Sequence, residues 1–373
     1  MNTLRKKAVI AMSGGVDSSV AAALMKERGF ECVGVTMKLF TTEDIAENRH
    51  SSGAADSVAR KPSAPRSCCS LTDVEDARAV AFRMDMPHYA LNFSDEFKEF
   101  VIDPFIKTYR NGATPNPCIE CNRRLKFEKL LLRARQLDFD YIVTGHYARI
   151  ERAGGRFLLK KALDRAKDQS YVLYAMTQEQ LERTMFPLGS LTKTEVRGIA
   201  GASGFINAAK RDSQDICFVP DGDYAAFIER YTGAESPEGS VIDKNGAVIG
   251  AHKGIIRFTI GQRRGLGVSC NAPRYVTAKS AKDNAITIGE EKDLYSRTLT
   301  ARDVNLIACD TLDRPARVTV KTRYLQKEQR ATAEQIAPDT VRITFDEPQR
   351  AITPGQAAVF YDGDLVVGGG TIA

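Results

Sequence analysis

No apolar run in this 373-residue sequence approaches eighteen residues, which excludes a membrane-spanning helix built from one hydrophobic segment. Basic residues stand at Arg5, Lys6 and Lys7, but only the short apolar run Ala8 to Met12 follows them. An export signal needs a longer run, so a cytoplasmic protein with no membrane partner is expected. Histidine is scarce, with four residues, and His50, His88 and His252 stand in contexts that carry no signal. No repeat of long period is present. The eight cysteines lie at 32, 68, 69, 118, 121, 217, 270 and 309. In a long chain without an export signal, such cysteines are read as buried, reactive or metal-binding rather than as a disulfide frame. A structural zinc site has no obvious fourth ligand.

What remains is ordinary globular material: 43% hydrophobic and 27% charged residues, enough for more than one core. The length predicts two or three domains. The net charge of +6 is unevenly spread, since the first 212 residues hold 33 basic and 26 acidic side chains. A basic N-terminal half suits a polyanionic partner.

The patterning predicts a doubly wound α/β region first. Residues 7–12 form an apolar run, 13–17 a turn, 18–28 a helix ended by Gly29, and 32–37 a second apolar run. A capping box at Thr72-Asp-Val-Glu75 predicts a helix to Met84, and Thr192-Lys-Thr-Glu195 another to Ala202. Between them a strand is expected at 88–91, helices at 94–109 and 122–137, and a strand at 141–144. The polar stretch Thr41 to Arg66 reads as a surface loop. Beyond about Ser213 helical periodicity fades, and short β-rich runs appear at 248–249, 254–260, 275–278 and 285–289. From Thr298 further runs follow at 317–324, 340–345, 357–361 and 365–367. Expected boundaries are 1–212 for a doubly wound α/β domain, 213–292 for a small central β-rich domain and 293–373 for a small C-terminal β-barrel or sandwich.

Ser13-Gly-Gly-Val-Asp-Ser-Ser19 follows a strand and opens a helix. Two glycines let backbone approach an anion, and exposed N–H groups with the helix N-terminus favour phosphate. Asp17 is a poor phosphate ligand and a reasonable Mg²⁺ ligand. The string is neither a Walker A loop nor G-x-G-x-x-G. It resembles the SGGxDS loop of the PP-loop ATP pyrophosphatases, which cleave ATP between the α- and β-phosphates and adenylate an acceptor carbonyl. The loop alone leaves the acceptor open, and a ligase acting on a small molecule remains an alternative.

Two cysteine-bearing stretches narrow the choice. In Gly112-Ala-Thr-Pro-Asn-Pro-Cys-Ile-Glu-Cys-Asn122 two prolines stiffen the loop, and Cys121 is expected near a helix start with Arg123, Arg124 and Lys126 close by. Both features favour a thiolate. Cys217, in Arg211-Asp-Ser-Gln-Asp-Ile-Cys-Phe218, lies where the α/β texture ends. Further short stretches are Thr144-Gly-His-Tyr147, Lys167-Asp-Gln169, Gly261-Gln-Arg-Arg-Gly-Leu-Gly267 and Arg323-Tyr324.

Taken together over nearly the full length, these motifs resemble those of the tRNA-specific 2-thiouridylases. The resemblance implies that Ala11, Met12, Ser13, Gly14, Gly15, Val16, Asp17 and Ser18, with Met37 and Gly145, surround ATP. It implies that Asn116, Pro117 and Cys118 meet the target base, that Cys121 is the nucleophile, and that Cys217 carries a persulfide. Lys167, Asp168, Gln169, Arg323 and Tyr324 are implied to touch tRNA. A sulfur donor protein, either a cysteine desulfurase or a sulfur-relay carrier, is implied as partner, and a Cys121–Cys217 disulfide as the spent state. An alternative gathers Cys118, Cys121 and Cys217 as ligands of an iron–sulfur cluster. Two positions depart from the family: Ala11 stands where glycine is frequent, and Cys118 where some members carry Asp.

Overall fold

The structure is a computed structural model that describes residues 6–40, 71–212, 215–268 and 272–373. The expected loop Thr41 to Arg66, His50, Cys68, Cys69, Ser213 and Cys270 lie outside those residues.

Five strands form an all-parallel sheet in the order His88–Asn92, Glu31–Lys38, Lys7–Ala11, Tyr141–Val143, Thr184–Met185. The central strands read as continuous apolar runs because helices cover both faces, and Ala8, Val9, Ile10, Ile142 and Val143 are all buried. The chain runs outward from Lys7–Ala11 to one edge, then returns to Tyr141–Val143 on the other side. Ligands in such sheets bind beyond the strand C-termini at this switch point. The glycine loop leaves one of these two strands and Gly145 the other.

Two expected helices are helical but not uniform. The first is built of Ser94–Phe97, a π-helical turn Lys98–Ile102, and Asp103–Arg110. The second begins at Pro117, runs as Pro117–Glu120, continues π-helically over Cys121–Lys129, and ends as Leu130–Gln136. Proline fits a first helical position because its missing N–H would have no partner there. The helix thus starts before the expected Asn122, and Cys121 lies one turn inside it, near its start. The helix Leu71–Arg83 begins one residue before Thr72, so Thr72 is not its cap. The Thr192 box does form, with Thr192 Oγ1 accepting from the Glu195 N–H and the Glu195 carboxylate accepting from Thr192 N–H.

After the helix Tyr224–Thr232, capped by Asp223 and ended by Gly233 at φ 64, comes a four-stranded sheet. Its order is Tyr275–Ser280, Ala285–Gly289, Gly239–Ile242, Val248–His252. The expected β run at 254–260 is instead a 3₁₀ turn, Ile255–Arg257, entered through Gly254 at φ 103. Six strands between Tyr295 and Ile372 then close into a barrel, because Tyr295–Leu306 pairs with Leu365–Ile372 as well as with Thr340–Arg350. The hairpin Ala148–Ala153/Arg156–Lys161, which follows the parallel sheet in sequence, adds to this barrel sheet through Lys160 and Leu365. One apolar cluster runs from Val35 and Phe105 under the parallel sheet to Phe227, Val241 and Ile286 of the central region. The α/β and central parts thus share a core.

Candidate active site

The glycine loop is held by its own serines. Ser18 Oγ and Ser19 Oγ donate to the Gly15 carbonyl at 3.0 and 3.1 Å, and Ser18 Oγ accepts from Ser13 N–H. Gly14 has φ +72, and a Cβ there would lie 2.3 Å from the Asp73 carbonyl oxygen, so both conformation and space demand glycine. The Gly14 carbonyl accepts from Asn207 Nδ2 at 3.0 Å and Lys210 Nζ at 3.1 Å. Lys210 is in turn gripped by Asp73 and Asp76, each at 2.6 Å. Burial alone would lower the Lys210 pKa, and the two carboxylates more than offset it, so it stays charged.

Gly145 faces the same helix start. A Cβ on it would meet Asp17 C and Ser18 N at 2.7 Å. Met12, Val16 and Met37 are buried around this point, and Met12 O accepts from Thr36 Oγ1. His146 is buried against Phe127 and Phe186, with Nδ1 2.7 Å from Thr144 Oγ1. Burial first, and then Lys126, push its pKa well down, so the ring is neutral.

Asp17 does not stand alone at the mouth of the loop. Lys193 Nζ reaches its two carboxylate oxygens at 2.7 and 2.8 Å, and the Tyr147 hydroxyl donates to Oδ1 at 2.9 Å. Lys193 also contacts Asp212 at 2.8 Å, and Asp212 takes further cations from Lys167 at 2.8 Å and Arg197 at 3.4 Å. Burial would raise the Asp212 carboxyl, but hydrogen bonds from Lys167 and Lys193 hold it below the usual carboxylate range. The network joins the glycine loop to the segment leading toward Cys217. Capping chemistry located Lys193 in the sequence, but nothing local announced where its side chain would go.

The cysteine-bearing loop is clamped from the barrel. Thr114 N–H donates to Pro354 O at 2.9 Å, and Gln356 Nε2 donates to Thr114 O and Pro115 O at 2.9 and 3.1 Å. Gly355, at φ +87, leaves room for Thr114 to pass. Asn116 is half-buried, Pro117 is buried and Cys118 is exposed. Cys121 and Cys217 are both half-buried and pack against one apolar cluster, the same one that contains Met37 and receives Ala11. The alternative in which Cys118, Cys121 and Cys217 are ligands of one iron–sulfur cluster is not supported. Among the described residues no group of three or more His, Cys, Asp or Glu side chains is gathered for a metal. These thiols as arranged do not fit a cluster, and no chemistry is derived through one.

The other expected RNA contacts are tied into the protein. The Asp168 carboxylate accepts from Ala162 N–H and Ser170 Oγ, and Gln169 Oε1 accepts from Tyr147 N–H. Arg323 donates to Thr353 Oγ1 at 2.7 Å and to the Ile260 and Ala351 carbonyls, which joins the central sheet to the barrel. The Tyr324 hydroxyl donates to Asp168 O at 3.1 Å. Lys167 and Tyr324 thus bring two separate sequence stretches to the neighbourhood of the Asp17 network.

Residues 6–221 match a family model described as the tRNA methyl transferase HUP domain, 225–290 the tRNA methyl transferase PRC-barrel domain, and 296–372 an aminomethyltransferase beta-barrel domain. The chain is 48% identical over 371 residues to the tRNA-specific 2-thiouridylase MnmA of Clostridioides difficile, spanning 99% of this chain and 98% of that one. It is 50% identical over 366 residues to the protein of the same name from Moorella thermoacetica, spanning 98% of each.

Proposed function

The chain belongs to the tRNA-specific 2-thiouridylase family, and on that premise we propose that it adenylates the C2 oxygen of the wobble uridine and exchanges that oxygen for sulfur carried on Cys217. It is an ATP-binding sulfurtransferase that thiolates uridine in tRNA. The observation that supports the finer reading is that Cys121 and Cys217, from separate stretches of the chain, both pack against one apolar cluster that also contains Met37.

A uracil carbonyl is a poor electrophile because its oxygen is a poor leaving group. Attack of that oxygen on the α-phosphorus of ATP releases pyrophosphate and makes the oxygen part of AMP. The glycine-loop N–H groups and the N-terminus of the helix Val16–Glu27 would receive the phosphates, as helix N-termini favour anions. Asp17 would hold Mg²⁺, which supplies charge neutralisation at the departing pyrophosphate. Its carboxylate already converges with that of Asp212 on one ammonium, an oxygen donor pair of the kind a hard cation takes.

Cys217 enters as a persulfide, loaded by a cysteine desulfurase or a sulfur-relay carrier. Its terminal sulfur attacks C2 and AMP leaves, giving a C2–S–S–Cys217 link. The Cys121 thiolate then attacks Cys217 Sγ, which forms a Cys121–Cys217 disulfide and releases the thiocarbonyl. In the other order, Cys121 first liberates hydrosulfide, which attacks C2 and expels AMP. Either way a reductant must reopen the disulfide. Cys118 stands exposed where the base would enter, and the tied-down side chains of Lys167, Asp168, Gln169, Arg323 and Tyr324 shape the surface presented to tRNA.

The Cys217→Ser variant tests this division of labour. It is expected to release pyrophosphate in the presence of tRNA and leave the uridine adenylated, while producing no thiouridine. Undiminished thiolation by that variant would remove Cys217 from the mechanism.

A further inference from the structure

Lys193 is the first residue of the helix Lys193–Ala202, where a cation opposes the helix dipole rather than complementing it. Its position is instead set by two carboxylates. The ammonium takes both oxygens of Asp17 at 2.7 and 2.8 Å and one of Asp212 at 2.8 Å, and only 12% of the side chain is exposed. The two acids are unequally placed should that ammonium move. Asp212 keeps Lys167 and Arg197, whereas Asp17 keeps the hydrogen bond from the Tyr147 hydroxyl.

We propose that Lys193 is a positioning residue that stands in for a divalent cation at Asp17 until nucleotide arrives, so that metal enters only together with ATP. The inference rests on the reading of Asp17 as a metal ligand. Mg²⁺ is typically held by one or two carboxylates plus phosphate oxygens and keeps much of its water. With the ammonium in place, a bare divalent ion must displace a two-oxygen charge-assisted contact and gains no phosphate in return. With ATP it gains those phosphate oxygens. The resident lysine also keeps Asp17 aimed into the site, which an unpaired carboxylate at a partly buried position would not do.

The test is Mn²⁺ binding to the full-length, nucleotide-free protein, followed by the EPR signal of free Mn²⁺. Lys193→Met is expected to bind at least tenfold more tightly than wild type, Lys193→Arg to resemble wild type, and Asp17→Asn added to Lys193→Met to remove the gain. Equal affinity of Lys193→Met and wild type overturns the proposal, as does a gain that survives Asp17→Asn. Should Lys193→Met fail to fold, wild type decides. It is expected to hold Mn²⁺ at Asp17 only when a non-cleavable ATP analogue is present, and equally tight binding without the analogue contradicts the proposal. The underlying reading is separable. Asp17→Asn forming AMP at the wild-type rate would defeat the metal assignment itself, whereas an inactive Asp17→Asn with unchanged Mn²⁺ affinity in Lys193→Met defeats only the role of Lys193.

Discussion

Replacing Gly145 with alanine adds one methyl group at the tightest contact between two halves of the nucleotide site. The new Cβ would stand 2.7 Å from Asp17 C and from Ser18 N, and 3.0 Å from Asp17 Cβ. These are mostly backbone atoms, so no side-chain rotation relieves the clash. Carbon atoms rest at about 3.5–4.0 Å, so the start of the helix Val16–Glu27 must retreat by about 1 Å. Overpacking of this kind costs about 1–3 kcal/mol of stability. The larger effect falls on chemistry, because a shift of about 1 Å in a positioned group costs about a hundredfold in rate. Gly145→Ala should therefore remain folded, melt a few degrees lower, and adenylate unmodified tRNA about a hundredfold more slowly. Pyrophosphate release measures the rate, and thermal denaturation followed by circular dichroism measures the fold. A variant within threefold of wild type in pyrophosphate release would refute the claim that Gly145 sets the helix against the nucleotide.

Three further outcomes follow from the structure. Burial lowers the Lys279 pKa to about 8 from an ordinary 10.5, while its ammonium donates to Phe258 O. Between those values the unfolded chain binds the extra proton, so stability rises with pH across that window; Lys279→Met should be about 2 kcal/mol more stable than wild type at pH 7 in urea titrations, with the advantage gone near pH 10.5. Gln356→Leu removes both side-chain hydrogen bonds from the barrel to the Thr114–Pro115 carbonyls and should cost about 2 kcal/mol in the same assay, with slower thiolation; an unchanged denaturation midpoint would count against the clamp. Lys210→Met leaves Asp73 and Asp76 without their shared cation and the Gly14 carbonyl with one donor fewer, so it should weaken ATP binding at least tenfold by equilibrium dialysis, and wild-type affinity would contradict that role.

Legibility of the site followed the range of the interactions that build it. The serine contacts of the glycine loop and the Thr192 capping box lie within a few residues and are readable from Ser13 to Ser19 and from Thr192 with Glu195, while the buried central strands are readable as continuous apolar runs such as Val9 and Ile10. The apolar pattern also located the helices around Phe105 and Leu125. It did not show that Lys98–Ile102 and Cys121–Lys129 are π-helical, since a 3.6-residue periodicity scarcely distinguishes an i→i+5 turn from its neighbours. The helix expected from Asn122 begins five residues earlier, at Pro117, a start that the apolar pattern does not mark. The hairpin 148–161 gave no sign that its partner is Leu365, because strand pairing over such separation leaves no local mark. For the same reason Lys193, Lys210 and Gln356 were invisible as site residues. Each is recognisable only by the distant oxygen that its nitrogen meets.

The account's central claim is tested most directly by incubating the purified protein anaerobically with ATP, Mg²⁺, a sulfur donor and unmodified tRNA, then weighing the digested nucleosides by mass spectrometry. The expected product is a wobble uridine heavier by the difference between sulfur and oxygen, present with ATP and absent without it. ATP consumption with the uridine unchanged, while the sulfur donor is shown to load Cys217, would contradict it.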